Sequence, residues 1–214
     1  MINIILCDDH KIVREGLKQI IHDSKQLNVI ADVSTGEDLF KEIRKATPHV
    51  IILDIALPGR NGLDILKQVK VLNESIRVLV LSMYPEDQFA IRMIKAGASG
   101  YLHKDSPPTI LKEAIKTIAL GEKYISPNIA NLLIKEITTT RSEKHLHDNL
   151  SDREYEVLLL LGKGQKVSEI ALSLSLSIKT ISTYKTRIQQ KLGLKNNADT
   201  IQYLISKNLL SIPE

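Results

Sequence analysis

The stretch Val50-Ile51-Ile52-Leu53-Asp54-Ile55-Ala56-Leu57-Pro58-Gly59 runs four unbroken apolar residues into a carboxylate and then into a Pro-Gly turn. A half-buried strand alternates apolar and polar positions, whereas a strand covered on both faces does not. Val50 to Leu53 therefore reads as an inner strand of a parallel sheet, with Asp54 at its carboxyl end. Val78-Leu79-Val80-Leu81 has the same character and ends at Ser82. On either side, Ile2-Asn3-Ile4-Ile5-Leu6-Cys7 ends at Asp8-Asp9, Val29-Ile30-Ala31-Asp32-Val33 forms a second strand, and Tyr101-Leu102 forms a short last one before Lys104. Apolar residues recur at helical spacing between the strands: Ile12, Val13, Leu17, Ile20 and Ile21, then Leu39, Phe40 and Ile43, then Ile65, Leu66 and Val69. Ala90, Met93 and Ile94 mark a fourth helix stopped at Gly97, and Leu111, Ala114, Ile115 and Ile118 a fifth after Pro107-Pro108. Five strand–helix units in alternation predict a parallel α/β domain over residues 1–125.

The chain has 214 residues, of which 43% are hydrophobic and 25% charged. That composition suits a globular protein with a substantial core. No apolar run approaches the roughly 20 residues of a membrane span, and the N-terminus lacks the basic head and cleavage site of a secretory signal. The single cysteine, Cys7, excludes an internal disulfide framework and a Cys-based zinc cluster. These features predict a cytosolic, cytoplasmic protein with no membrane partner. The formal net charge is only +4, but it is unevenly spread. Between Ile170 and Ala198 there is no Asp or Glu, and the same stretch carries Lys179, Lys185, Arg187, Lys191 and Lys195. Such a run makes a local basic surface whatever the overall balance. A polar run, Thr138 to Asn149, separates the two periodic regions and places a linker over residues 126–148.

In an open α/β sheet, ligands bind outside the carboxyl ends of the strands. Here those ends carry Asp8, Asp9, Asp54, Ser82 and Lys104. Clustered carboxylates bind a hard cation such as Mg²⁺ through oxygen. A lysine supplies a point charge, and a serine a hydroxyl, for phosphoryl oxygens. Asp54 is placed to act as a nucleophile that forms an acyl phosphate. Each residue alone has a plainer reading: Asp8 or Asp9 as a helix cap, Lys104 as a surface lysine, His10 as a loop or cap residue, Cys7 as a small strand residue. Five of them at the ends of four strands favour a site.

These residues carry a family resemblance. Asp8-Asp9, the Ile51 to Gly59 run with Gly62 following, Leu81-Ser82, and Gly97-Ala98-Ser99-Gly100-Tyr101-Leu102-His103-Lys104 resemble the receiver domain of bacterial two-component response regulators. The resemblance implies a flavodoxin-like (βα)5 fold with a five-stranded parallel sheet. It implies that Asp54 accepts a phosphoryl group from a sensor histidine kinase. Asp8 or Asp9, Asp54 and the backbone carbonyl of Ala56 would hold Mg²⁺, Ser82 and Lys104 would grip the phosphoryl group, and Tyr101 would swing inward with Ser82. Two departures stand out: Leu57 where methionine is common, and Asp105 after Lys104 where many receivers have proline. Ala56 and Tyr84, two residues beyond Asp54 and Ser82, offer neither a carboxylate nor an amide to orient water, which predicts a long-lived acyl phosphate.

The last 65 or so residues read as helical throughout. Ser151-Asp152-Arg153-Glu154 is a capping box opening a helix with Val157, Leu158, Leu160 and Leu161. A short helix through Val167, Ile170, Ala171 and Leu174 leads into the turn Ser175-Leu176-Ser177. The next helix runs from Ile178 to about Leu192, with Ile181, Tyr184, Ile188 and Leu192 as its buried stripe and Gly193 as its stop. A last helix begins near Asn197. Two short helices joined by a tight turn, the second one basic, form a helix-turn-helix pattern. Its second helix would enter the major groove. Lys179, Ser182, Thr183 and Thr186 fall where base edges are read, while Lys185, Arg187 and Lys191 reach phosphates; Thr180 belongs to the same DNA-facing set. An ordinary solvated helix mixes signs to make i,i+4 pairs, and this one has no acid.

Leu150 to Leu158, Ser168-Glu169-Ile170-Ala171, Leu176 to Lys185, and Lys191-Leu192-Gly193-Leu194 resemble the LuxR-type DNA-binding domain, here an all-α, four-helix unit over 149–214. Together the two halves resemble the NarL/FixJ response regulators. That resemblance implies double-stranded DNA with two half-sites as target, a homodimer on phosphorylation, and a dimer contact through Ala198, Ile201, Gln202 and Ile205. Two rivals stand beside it. One is an Asp-nucleophile phosphatase, which would place a second Asp where Ala56 stands. The other is a ligand-responsive LuxR regulator independent of phosphate, against which the Asp8, Asp9, Asp54 and Lys104 set weighs.

Overall fold

A computed structural model of the chain describes residues 1–57, 59–138, 146–207 and 209–210. The chain divides into two compact units, Met1–Ile134 and Lys135–Glu214.

In the first unit, five parallel strands alternate with helices: β1 (Ile2–Cys7), α1 (Lys11–His22), β2 (Leu27–Val33), α2 (Gly36–Lys45), β3 (Val50–Leu53), α3 (Gly62–Leu72), β4 (Arg77–Ser82), α4 (Glu86–Lys95), β5 (Gly100–His103) and α5 (Pro108–Ala119). The sheet order is β2-β1-β3-β4-β5, the flavodoxin-like order, in which the chain reverses direction across the sheet between β1 and β3. The apolar runs sit where the sequence puts them. All four residues of β3 are buried, and so are five of six in β4. One side of the sheet packs Ile4, Leu6, Ile52, Leu79 and Leu81 against Leu17 and Ile21 of α1 and Leu111, Ile115 and Ile118 of α5. Burying each such side chain stabilises the fold by about 1.5–3 kcal/mol. Thr35 and Asn61 cap α2 and α3 by accepting from the amides of Asp38 and Leu63. Gly97 (φ +104) ends α4, as its place in the sequence predicts.

Gly62 has a different task. A Cβ there would lie 2.6 Å from Ile55 Cα and 2.7 Å from the Asp54 carbonyl oxygen. Only a bare glycine lets α3 close against the loop that leaves β3.

The span 126–148, expected as linker, opens with a helix, α6 (Pro127–Thr138). Ser126 caps it by accepting from the Ile129 amide at 3.2 Å, and the completely buried Ile129 anchors it. Ser126-Pro127 is a cap followed by an N1 proline, a start signal masked by the apparent completeness of five strand–helix units. Of the polar run Thr138 to Asn149, residues 139–145 lie outside the described residues. Leu146–Asn149 form a 3₁₀ turn.

The second unit holds α7 (Asp152–Gly162), α8 (Val167–Ser173), α9 (Ile178–Leu192) and α10 (Asn197–Ser206). The capping box is present in both directions, Ser151 Oγ taking the Glu154 amide and Glu154 the Ser151 amide. Ser175 holds a positive φ of 53° in the turn between α8 and α9. Ser177 caps α9 through the Thr180 amide, and Gly193, left-handed at φ 67°, ends it. Val157, Leu158, Ile170, Ile181, Ile188 and Leu204 form the small core. Among the described residues no helix is long and apolar enough to cross a membrane.

Candidate functional site

Parallel strands deliver their carboxyl ends to one edge, so β1, β3 and β5 bring Asp8, Asp54 and Lys104 together. Lys104 Nζ lies 2.6 Å from Asp8 Oδ2 and 2.7 Å from Asp54 Oδ2, and the three side chains are 8%, 4% and 2% exposed. One ammonium thus bridges two buried carboxylates. Burial pushes the Asp54 carboxyl above its ordinary value, and the Asp8 charge adds to that, outweighing the opposing pull of the Lys104 ammonium. Burial pulls Lys104 down, but the two carboxylates more than offset it and hold the ammonium above its usual value.

The backbone completes the frame. The Ala56 amide donates to Asp54 Oδ1 at 3.2 Å, and the His10 amide donates to Asp8 Oδ1 at 2.8 Å. His10 is the first cap residue of α1 without a side-chain cap bond, so neither Asp8 nor Asp9 caps that helix. The His10 ring nitrogen lies 2.8 Å from Asp9 Oδ1. Asp8, Asp9, His10 and Asp54 offer oxygen and nitrogen atoms all within 4.8 Å of one another. Hard carboxylate oxygens converging in this way suit a divalent cation such as Mg²⁺. Arg14 of α1, which the sequence reading passed over, donates to the Asp8 carbonyl at 2.6 Å and to Asp32 Oδ2 at 3.0 Å. No periodicity singles it out, because it is the partner carbonyl and not the arginine that lies at a strand end.

Ser82 is wholly buried; its Oγ accepts from the Tyr84 amide at 3.1 Å, and its carbonyl accepts from the Lys104 amide at 2.8 Å. Tyr101 is wholly buried, and its hydroxyl donates to the Tyr84 carbonyl at 2.6 Å. The Tyr84 ring is itself buried and packs against Phe89 with centroids 4.7 Å apart and the planes tilted by 46°. Cys7 is buried against the Thr35 carbonyl, and burial pushes its thiol far up, as befits a strand residue with no reactive part. Among the described residues no peptide bond is cis, Lys104–Asp105 included.

In the second unit α9 turns Ile181, Ile188 and Leu192 inward and leaves Lys179, Ser182, Thr183, Thr186 and Arg187 exposed. Thr180 and Lys185 are half-buried at its flanks. Ser177, Lys179, Thr180, Thr183, Tyr184 and Arg187 line a shallow depression on this face. The hydroxyls of Thr183 and Thr186 donate to the carbonyls of Lys179 and Ser182 at 2.9 and 3.1 Å. That leaves their oxygen lone pairs and methyl groups outward. Lys191 is tied inward: its Nζ lies 2.7 Å from Glu154 Oε2 and donates to the Asn149 carbonyl at 3.4 Å. The long lysine expected at a phosphate therefore pairs with the capping box of α7. On α10, Ala198, Ile201, Gln202 and Ile205 form one exposed stripe opposite the buried Thr200 and Leu204.

Comparison with known proteins places both halves of the chain. Residues 4–116 match the response regulator receiver domain family, and residues 148–204 match the luxR family of bacterial regulatory proteins. Response regulator UvrY of Escherichia coli (strain K12) is 32% identical over 210 residues, covering 98% of this chain and 96% of that protein. Oxygen regulatory protein NreC of Staphylococcus carnosus is 31% identical over 213 residues, covering 97% and 98%. RcsB from Salmonella enterica serovar Typhimurium, solved on promoter rprA with the phosphomimetic BeF3-, superposes with a TM-score of 0.64 at 29% identity, covering 96% of this chain and 100% of that one. The chain belongs to the two-component response regulators of the NarL/FixJ type, which join a receiver domain to a LuxR-type DNA-binding domain.

Proposed function

We propose that this response regulator takes a phosphoryl group onto Asp54 from a sensor histidine kinase and thereby changes its binding to promoter DNA. The observation that carries the reading is the buried Asp8–Lys104–Asp54 arrangement at the carboxyl ends of β1, β5 and β3. The Lys104 ammonium keeps Asp54 in reach of its ionised, attacking form despite burial. An Asp54 oxygen attacks phosphorus, the O–P bond forms as the donor's P–N bond breaks, and the donor histidine leaves. Lys104 then exchanges its Asp54 contact for a phosphoryl oxygen. Ser82 gives up the Tyr84 amide and turns its hydroxyl to another phosphoryl oxygen. Asp8, Asp9, Asp54 and the Ala56 carbonyl would hold Mg²⁺, which neutralises charge on the transferring group. The protein is a stoichiometric acceptor and not a turnover enzyme, since Ala56 leaves no second carboxylate to drive release.

The output is the basic face of α9. Lys179, Ser182, Thr183 and Thr186, with Thr180, lie toward base edges, and Lys185 and Arg187 lie toward phosphates. The exposed stripe of α10 supplies a two-fold contact in a homodimer, which matches two half-sites. Phosphate need only favour one of two arrangements by its differential affinity.

The test is intact mass after incubation with Mg²⁺ and a small acyl-phosphate donor. Wild type gains one phosphoryl group and Asp54→Ala gains none. A folded wild type with no addition, or addition to both proteins, refutes the assignment.

A further inference from the structure

The receiver holds the start of α6 through one side chain. Glu86, the first residue of α4, accepts from Ser126 Oγ at 2.9 Å on each carboxylate oxygen and from Asn128 Nδ2 at 2.9 Å. Ser126 is also the cap of α6, accepting from the amides of Ile129 at its hydroxyl and of Ala130 at its carbonyl. The carboxylate therefore sits at the positive end of the α6 dipole while holding its capping residue in place. The approach to α6 is pinned to the same face: the Tyr124 amide donates to the Ser99 carbonyl at 2.9 Å, and Lys123 Nζ donates to the Ala98 carbonyl at 2.6 Å.

Glu86 lies four residues beyond Ser82, and the intervening Met83-Tyr84-Pro85 is held at every step. His103 Nε2 contacts the Met83 carbonyl at 3.0 Å. The Tyr84 amide is on Ser82 Oγ and its carbonyl is on Tyr101. Pro85 fixes the backbone where α4 begins. With Lys104 on the unmodified Asp54 carboxylate and Ser82 Oγ occupied by the Tyr84 amide, the site holds no phosphoryl group, although Tyr101 already lies inward. When Ser82 turns to a phosphoryl group, the first anchor is lost and the segment must shift. A hydrogen bond near 2.9 Å weakens steeply with displacement or misalignment, so a small shift at Glu86 releases Ser126.

We infer that Glu86 is a positioning residue that reports the state of Ser82 to α6, clamping that helix in the unphosphorylated protein and releasing it when Asp54 is phosphorylated. The inference rests on Asp54 being the acceptor. What it adds is a physical route, Ser82 to Tyr84 to Glu86 to Ser126, from the site to the helix that leads into the chain's second half.

Backbone hydrogen exchange on the full-length chain, with phosphorylation checked by intact mass in each sample, tests it. Wild-type α6, at Ile129 and Ala130 above all, exchanges about tenfold faster once phosphorylated, about what losing one charge-assisted hydrogen bond allows. Glu86→Ala takes up the phosphoryl group as wild type does, but its α6 already exchanges at the fast rate without phosphate and gains little more with it. Glu86→Gln, which keeps an acceptor, falls between. The Glu86→Ala, Ser126→Ala double variant adds nothing beyond the single change at Glu86, because both act through one contact. The inference is overturned if Glu86→Ala keeps the full phosphate-induced change, or if its unphosphorylated α6 is as protected as wild type. A wild type that gains no phosphoryl mass instead refutes the function beneath it, whatever Glu86 does.

Discussion

Lys104 offers the sharpest stability test. Lys104→Met removes the ammonium that contacts both Asp8 and Asp54, whose side chains are 4% and 2% exposed. Methionine fills most of the volume, so the loss is electrostatic. Breaking a buried ion pair from one side costs about 3–5 kcal/mol, because the remaining charge stays buried and uncompensated. With an unfolding entropy of about 2.1 cal/mol/K per residue over the unit Met1–Ile134, the melting entropy is about 0.28 kcal/mol/K, so about 3 kcal/mol lowers Tm by about 10 °C. Calorimetry of the full chain at neutral pH without divalent ions reads this in the receiver transition. Adding Asp54→Asn to Lys104→Met leaves one orphaned carboxylate in place of two and recovers about half of the drop. Millimolar Mg²⁺ stabilises Lys104→Met more than wild type, since the cation takes over the missing charge. A single-variant drop under about 1 kcal/mol, or a double variant as unstable as the single, refutes the view that Lys104 compensates both carboxylates.

Three further outcomes follow from the structure. The acyl phosphate on Asp54 persists for minutes or longer, because Ala56 offers no group to orient water and the Tyr84 ring is taken up in packing against Phe89. Ala56→Asn shortens that lifetime by about tenfold, and decay of the wild type within seconds counts against this. In the second unit, burial raises the Glu154 carboxyl, but Lys191 and the Ser151 donors outweigh burial and hold it below its ordinary value. A depressed carboxyl contributes stability that is complete above the unfolded value of about 4.3 and is lost as pH falls through the lower folded value. Glu154→Gln therefore destabilises the domain at pH 7 and flattens its melting-temperature profile on the acid side; an unchanged acid slope contradicts the pairing. On DNA, Lys185→Ala lowers the salt-dependence slope by about one, while Lys191→Ala leaves it almost unchanged because that ammonium is already on Glu154. Equal slope losses would show that both lysines meet phosphates.

Most of the receiver was legible in sequence because its signals are local. Val50–Leu53 and Val78–Leu81 are apolar at every position only if both faces are covered, and the parallel topology then carries their end residues to one edge. The capping residue Ser151, the turn through Ser177 and the stop at Gly193 were legible for the same reason. Contacts made across the fold were not. Lys191 and Glu154 stand 37 residues apart, and nothing in the α9 pattern distinguishes a lysine aimed at a phosphate from one aimed at a neighbouring helix cap. Arg14 serves a carbonyl, and a carbonyl has no residue identity to recognise. The start of α6 carried the serine–proline signal of a helix, and Ile129, Leu132, Leu133 and Ile137 recur at helical spacing, yet only Ile129 is fully buried, and the stretch falls just after five strand–helix units that already complete a domain.

The close approach at Gly62 bears on how a chain like this can diverge. A side chain at position 62 must displace the backbone of Ile55 and the carbonyl of Asp54, so every other amino acid there moves the acceptor loop itself. Ala56 and Tyr84, two residues beyond Asp54 and Ser82, already carry side chains and face no backbone clash of that kind. Descendants of this sequence can therefore lengthen or shorten the memory of a signal through those two side chains, while the pivot beneath them has no freedom to drift.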